Sequence, residues 1–410
     1  MDSTSRLEMT MGAPSQSRSG RAPAGLVETT MSSLLPPEIL DLIIGHFHNE
    51  PIMLKAFCTV SKSWAWRVRA HLFAHVEFCP VKSPFQSWIR VFPDPSNSPA
   101  HYARSLSIDA SWIPAPTRMG ARAWIHSFCN VAKLKLRTFW CDDGQISLAH
   151  LYGFSPVLES LIIIFHSAPP SEVFNLICSF PSLEDLSLIS LAKNEPKGEW
   201  TIPLTSPKLT GELLLRMEGG VRPDVRRLLD LPGGLHFSSI SITCPDTDAR
   251  STADLVLRCS DTLKSLRISY YSSGVFPWLH GPTYALPLHT DLDVSTAPLP
   301  LDLSKATRLE DIQLNLNPRT VQWVTGTLRT AKSEYLRQIT IFIPSSFTNP
   351  AQATVHREWE DLDHALVQLW TSRSVRPRLK YVKTPECDKV EIQVRALLPE
   401  LASRGVIDVV

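Results

Sequence analysis

A pair of apolar residues, separated by one position, recurs along most of this chain. Successive pairs begin 20 to 28 residues apart over ten units. The pairs are Leu106/Ile108, Leu134/Leu136, Leu161/Ile163, Leu186/Leu188, Leu213/Leu215, Ile240/Ile242, Leu266/Ile268, Leu292/Val294, Ile312/Leu314 and Ile339/Ile341. Alternate residues of a β-strand face the same side, so each pair predicts a short strand with two inward side chains. The regular period indicates stacked units that bury each other's apolar sides.

Several units also carry a leucine three residues before the pair, as in Leu158-x-x-Leu161-x-Ile163. With this spacing residues 101–410 resemble a leucine-rich repeat solenoid, whose units are 20–29 residues long. The resemblance implies an α/β fold of parallel strands, with helices and loops on the convex side. The asparagine that usually follows the strand in this family is mostly missing. The 33 prolines of the chain predict irregular connections.

Helical patterns lie between several of the pairs and after the last one. They predict return helices at residues 170–178, 222–231, 248–259 and 321–331. The period breaks in the tail, where we expect a helix over 357–370, a strand at Leu379/Tyr381, a helix over 389–403 and a strand over 406–410. One face of the first tail helix holds Trp359, Leu362, Leu366 and Leu369. An atypical last unit is what a solenoid needs to cover its open end.

Residues 31–78 carry a different pattern, that of three short helices. The first has an apolar stripe made of Leu35, Ile39, Leu42 and Ile43. Pro36 and Pro37 fit its first turn, where a missing N–H costs little. The second begins near Pro51, and the third, from about Ser61, carries Trp64 and Val68. Helices this short cannot bury all of this apolar surface among themselves, so we expect part of it to contact a partner.

Two segments of this region resemble an F-box. Leu35-Pro36-Pro37-Glu38-Ile39-Leu40 is similar to the opening L-P-x-E-I-L, and Val60-Ser61-Lys62-Ser63-Trp64 to the later V-C-K-x-W, with serine in place of cysteine. The resemblance implies a substrate receptor that docks on a Skp-type adaptor and through it on a cullin. The residues implied in adaptor contact are Leu34, Leu35, Pro36, Ile39, Leu40, Ile43, Val60 and Trp64.

Composition organises the rest of the chain. Residues 1–30, rich in serine, arginine and glycine, predict a disordered leader. Residues 79–100 contain Phe85, Trp88 and Phe92 and predict a packed connector, because aromatic side chains are costly to leave in water. The net charge of +1 selects neither nucleic acid nor an anionic membrane. No apolar run is long enough to span a bilayer. Eight cysteines without a C-x-x-C pair indicate a reduced cytoplasmic or nuclear protein.

No pattern indicates catalysis, a metal or a cofactor. His356, Glu360 and His364 are four residues apart and would share one helical face, which could hold a metal ion. We interpret them as the polar side of the predicted helix over 357–370. Neither a phosphate-binding glycine frame nor a G-x-S-x-G motif occurs. We therefore expect no enzymatic activity.

The open face of the predicted solenoid is the candidate substrate surface. The residues between the pairs, from Ser107 to Thr340, should point outward, as should those one position after the pairs. Basic and apolar residues mix there, which favours a protein partner with acidic and apolar features. The candidate substrate-binding residues are Lys135, Arg137, Ile162, Ile164, Leu214, Arg216 and Arg267.

Two alternatives remain open. In the first, the N-terminal helices form a helix-turn-helix, with Lys62, Arg67 and Arg69 facing DNA; Trp64 and Val68 on the same helix disfavour this alternative. In the second, the chain is a leucine-rich-repeat interaction scaffold that never enters a ubiquitin ligase, and its F-box serves as a helical cap.

Overall fold

The computed structural model describes residues 35–79, 85–109, 120–138, 148–165, 170–190, 205–217, 223–245, 249–271, 300–316, 320–343, 356–373, 376–381, 392, 394–405 and 408–409. The contacts divide the chain into two compact units, Met1–Val68 and Arg69–Val410. The predicted leader lies outside the described residues.

Three short helices form the described part of the first unit. They are α1 (Pro37–His46), α2 (Pro51–Phe57) and α3 (Lys62–Leu72), whose last turn belongs to the second unit. Pro37 and Pro51 each lie at the start of their helix, as predicted. Ser61 caps α3, because its Oγ accepts the N–H of Trp64 at 3.3 Å. Ser61 therefore has a structural role at the start of α3.

The second unit is built on one parallel sheet of twelve strands among the described residues. The strands are β1 (His75–Phe78), β2 (Ser105–Asp109), β3 (Lys133–Thr138), β4 (Ser160–Phe165), β5 (Asp185–Ser190), β6 (Glu212–Met217), β7 (Ser239–Pro245), β8 (Ser265–Tyr271), β9 (Asp311–Asn315), β10 (Gln338–Ile343), β11 (Arg376–Tyr381) and β12 (Asp408–Val409). Their order in the sheet is their order in the sequence. Each connection therefore moves the chain by one strand, which is compatible with a solenoid-like arrangement.

Helices occupy many of the connections. They are α4 (Phe85–Val91), α5 (Gly120–His126), α6 (Pro170–Cys178), α7 (Pro223–Leu229), α8 (Ala249–Arg258), α9 (Val321–Thr330), α10 (His356–Arg373) and α11 (Pro399–Ser403). The four predicted return helices are confirmed as α6 to α9. The predicted apolar face of α10 is also confirmed, since Trp359, Leu362, Leu366 and Leu369 are buried. Strand β1 and helices α4 and α5 were not predicted.

The strand register follows the apolar pairs. Leu106 aligns with Leu134, Leu134 with Leu161, and the same match continues to Ile339 on β10. One expected repeat is not found between the neighbours that were predicted for it: β8 pairs directly with β9, Leu266 against Ile312. The pair Leu292/Val294, where that repeat was predicted, falls outside the described residues. The first residues of β8 and β9, Ser265 and Asp311, are 46 residues apart in the sequence.

The inward pairs and the helices form one apolar core. Every pair residue of the described strands is at most 4% exposed. Phe174 of α6, Leu255 of α8 and Trp323 of α9 belong to the same cluster. The connector also packs, as predicted: Phe85 and Trp88 are buried, and the ring centroids of Trp88 and Phe128 lie 5.6 Å apart. Burial of these large side chains is the main force that holds successive units together.

A hydrogen-bond ladder joins successive repeats at the residue that precedes the strand. The carbonyl oxygen of Ala132 accepts the N–H groups of both Glu159 and Ser160, at 2.9 and 3.0 Å. The same double acceptance recurs at Ala74, Arg104, Glu159, Ser238, Lys264 and Glu310. Hydroxyl groups add further bonds between units: Ser155 donates to Val131 O at 2.8 Å and Ser182 to Pro156 O at 3.0 Å. Serine and threonine thus satisfy backbone carbonyls between the units.

Candidate protein-binding surfaces

Helix α1 is apolar around most of its circumference, but only one side is buried. Leu40 and Ile44, four residues apart, are 3% and 0% exposed. The predicted stripe points away from them, with Leu35 and Ile39 each 41% exposed and Leu42 70% exposed. A helix that is apolar on both sides normally has neighbours on both sides. The outer side of α1 therefore has the character of an interface.

The other helices of the first unit expose apolar side chains as well. Ile52 and Met53 of α2 are 81% and 37% exposed, Val60 is 57% exposed and Trp66 of α3 is 61% exposed. We call the exposed apolar residues of this unit the helical patch: Leu35, Ile39, Leu42, Ile52, Met53, Val60 and Trp66. Isolated exposed apolar residues are common, but seven within 32 residues of chain are characteristic of a binding surface.

The predicted adaptor contacts fall into different environments. Leu35, Pro36, Ile39 and Val60 are exposed. Ile43 and Trp64 are half-buried, and the Trp64 ring packs edge-on against Phe57 with centroids 5.1 Å apart. Leu34 lies outside the described residues.

Leu40, another predicted contact, is buried and helps to form the small core of the unit with Leu54 and Val68. Ile52, Met53 and Trp66 were not among the predicted adaptor contacts. Their signal in the sequence was an apolar residue on a short helix that the segment could not cover by itself.

An ion pair fixes α1 against α3. Nη1 of Arg67 donates to both carboxylate oxygens of Asp41, at 2.5 and 2.6 Å. Arg67 is thus engaged within its own unit, which weakens its predicted role in contacting DNA. Exposed ion pairs contribute little stability, about 0–1 kcal/mol. The pair therefore serves mainly to orient the two helices.

The outward side chains of β3 to β8 form the second candidate surface, which we call the open face. One row runs across the sheet in register: Lys135, Ile162, Ser187, Leu214, Ser241 and Arg267. The row one pleat further along is Arg137, Ile164, Ile189, Arg216, Thr243 and Ser269. All seven predicted substrate-binding residues lie in these two rows. Ile189, which the prediction omitted from the candidate residues, lies between Ile164 and Arg216.

The open face has an apolar centre and basic ends. Ile162, Ile164, Ile189 and Leu214 are half-buried on neighbouring strands, whereas Arg216 and Arg267 are exposed. Nη1 of Arg137 lies 3.8 Å from Oε1 of Glu77, and both side chains are partly exposed. The guanidinium of Arg267 lies 5.5 Å from the ring centroid of Phe342, a cation–π contact that fixes its position.

The outward prediction fails in part at the far end of the sheet. Thr340 lies between its inward pair as expected, but it is 0% exposed. Gln313 flanks it in register on β9, and Gln338 donates to its hydroxyl at 3.1 Å. A short side chain beside longer ones loses contact with water even on an open face. Thr340 is therefore structural.

His356, Glu360 and His364 of α10 were considered as a metal site, but the side chain of His356 lies outside the described ones. Among the described residues, no group of three or more potential metal-ligating side chains comes together. Nδ1 of His364 lies 3.0 Å from Oε2 of Glu400.

The neighbouring Asp363 is buried and accepts the N–H groups of Glu400 and Leu401, at 2.7 and 3.1 Å. Burial raises the pKa of Asp363, while the two backbone hydrogen bonds oppose that rise. The carboxylate of Asp363, on α10, therefore caps the start of α11.

Membrane insertion through a helix also finds no support in the described part of the chain, where none of the helices is long and apolar enough to cross a bilayer.

No family model matches the chain, and no curated protein matches its sequence.

Proposed function

We propose that this chain is the substrate receptor of a Skp-cullin-F-box type ubiquitin ligase. The first unit would dock on the Skp-type adaptor, and the open face of a leucine-rich-repeat-like second unit would hold a protein substrate. The chain would catalyse nothing itself. Its contribution would be proximity, because holding the substrate near the transfer machinery raises its effective concentration. Such a receptor would work in the cytoplasm or nucleus.

The helical patch is the observation that carries this proposal. It lies on the segment that resembles an F-box, and it includes two implied adaptor contacts, Leu35 just before α1 and Ile39 on α1, which are both exposed. Burial of a large apolar side chain contributes about 1.5–3 kcal/mol. A few such residues together are sufficient for specific binding. The ordered core of the second unit explains how the receptor could keep its open face in place.

Adaptor binding by surface variants tests the proposal. The full-length chain carrying Leu35→Ser and Ile39→Ser should fold, because both side chains are exposed, and should lose capture of a purified Skp-type adaptor. Leu257→Ser is the matched control, since Leu257 of α8 is 42% exposed on the second unit. It should bind the adaptor like the natural chain.

Two results would contradict the proposal. One is the absence of adaptor binding by the folded natural chain, which would leave the interaction scaffold as the better description. The other is equal binding by the Leu35/Ile39 variant and the Leu257 control. Circular dichroism of each variant establishes that it is folded.

A further inference from the structure

The cations and apolar residues of the open face are spaced like the side chains of an extended peptide. Arg137, Ile164, Ile189 and Arg216 occupy one row on β3 to β6. Neighbouring strands are about 4.8 Å apart, so the two arginine positions are separated by about 14 Å. In an extended peptide, residues i and i+4 are also about 13–14 Å apart and point to the same side. The residue between them at i+2 points to that side too.

We propose that the open face binds an extended protein segment of the pattern acidic–x–apolar–x–acidic, laid across β3 to β6. The first acidic residue would pair with Arg137, the apolar residue would pack on Ile164 and Ile189, and the second acidic residue would pair with Arg216. This inference rests on the proposed function, in which the open face is the substrate site, and it names the chemistry of the substrate.

The neighbouring row strengthens the match. Lys135 lies two residues before Arg137 on β3, so the end of the row at β3 has two cations on one face. Ile162 and Leu214 widen the apolar centre by one pleat. The ion pair of Arg137 with Glu77 is partly exposed and 3.8 Å long, so exchanging it for a ligand carboxylate costs little.

Acidic residues at the N-terminal edge of the open face determine where the bound peptide segment can lie. Two residues before Lys135, the row in register contains Lys133, Ser160 and Asp185, and Glu212 follows on β6. Oδ1 of Asp185 accepts the N–H of Glu212 at 2.7 Å. Acidic side chains of a ligand would be repelled by these two carboxylates. They therefore favour the rows of Lys135 and Arg137.

The apolar centre also distinguishes a protein segment from a nucleic acid. Phosphates recur at short intervals along a strand and need cations throughout their path. Here Ile164 and Ile189 separate the two arginines. Single arginines at the ends suit carboxylates, which a guanidinium can hold through two parallel hydrogen bonds.

Fluorescence anisotropy with the full-length chain tests the inference. The probe is a fluorescein-labelled peptide with the core Glu-Ser-Leu-Ser-Glu between glycine-serine flanks. We expect a dissociation constant on the order of 0.1 mM, as suits one short segment. A core of Glu-Leu-Ser-Glu places the acids at i and i+3, on opposite sides, and should bind about tenfold more weakly.

Charge reversal supplies the specific control. Arg137→Glu with Arg216→Glu should weaken binding at least about tenfold and should accept the Lys-Ser-Leu-Ser-Lys peptide instead. Arg250→Glu with Arg258→Glu changes the net charge equally on α8, where both arginines are exposed. That variant should keep its affinity for the acidic peptide.

Several results would overturn the inference. One is that the folded natural chain does not bind the acidic peptide below about 1 mM. Another is that the two peptides with different acidic spacings bind equally well. A third is that both double variants lose the same amount of affinity for the acidic peptide. Binding of a phosphoserine version more than about tenfold tighter would replace carboxylates by phosphates as the recognised group. The assay contains no adaptor. A chain that binds adaptor but not peptide therefore contradicts this inference alone, and the reverse result contradicts only the ligase assignment.

Discussion

Gly326 of α9 lies against the ring of Pro300 in the chain segment before β9. A β-carbon at position 326 would lie 2.5 Å from Cγ and 2.8 Å from Cβ of that ring. Gly326→Ala should therefore destabilise the second unit by about 1–3 kcal/mol, although alanine normally favours a helix. Urea denaturation followed by circular dichroism measures the change.

A second substitution isolates the contact. Pro300→Gly removes both obstructing ring atoms, so the double variant should recover part of the stability lost by Gly326→Ala. A double variant as unstable as the sum of the two single ones would show that the clash is not the cause.

His150 is the residue whose protonation should affect folding most clearly. Its Nε2 is buried without a hydrogen-bond partner among the described residues, and burial lowers its pKa from 6.5 to about 4. As the pH falls, His150 therefore binds a proton in the unfolded chain at a higher pH than it does in the folded chain. Stability contributed by neutral His150 is complete above pH 6.5 and is lost as the pH falls toward 4, by on the order of 1–3 kcal/mol.

Unfolding free energies measured across this pH range check the assignment. His150→Gln should flatten the pH dependence, because glutamine stays neutral. Identical slopes for the natural chain and the variant would contradict the role of His150.

At the scale of elements, α10 and α11 depend on one carboxylate. Asp363 accepts two N–H groups at the start of α11, so Asp363→Ala leaves both without this acceptor and should cost about 1–3 kcal/mol. Asp361 lies on the same helix and pairs at 2.8 Å with Arg329 through half-exposed side chains. Asp361→Ala should cost less than about 1 kcal/mol. Equal costs in denaturant titrations would argue against the capping role.

Sequence periodicity predicted the strands well because their signal is local. Inward pairs such as Leu161/Ile163 alternate with half-buried residues, and α6 was predicted to the residue. The predicted step from Leu266 through Leu292/Val294 to Ile312 could not be checked from spacing alone, because spacing does not say which strands are neighbours. The pairing of β8 with β9 joins Leu266 directly to Ile312. Strand β1 was overlooked because four residues with two apolar positions carry too weak a pattern.

The binding surfaces were less predictable, because burial depends on neighbours distant in sequence. The pattern of α1 showed an apolar stripe, but it could not show that Leu40 and Ile44 form the buried side. It also could not show that Thr340 would be covered by its neighbours. On the open face the basic and apolar residues were predictable from strand alternation alone. Their alignment into rows required the register of six strands.

At the scale of the whole molecule, we propose that the two units have different functions. The first has few buried residues and many exposed apolar ones, as expected of a module completed by a partner. The second has a continuous core and can present its open face without assistance. This division predicts that adaptor binding and peptide binding are separable. Variants of the helical patch should leave peptide affinity unchanged.

Hydrogen–deuterium exchange of the full-length chain, with and without a Skp-type adaptor, tests this division most directly. We expect the adaptor to slow exchange within residues 35–68, above all in α1, and to leave exchange in the strands of the open face unchanged. Unchanged exchange over residues 35–68 at saturating adaptor would contradict this division of functions, as would protection confined to β3 to β8.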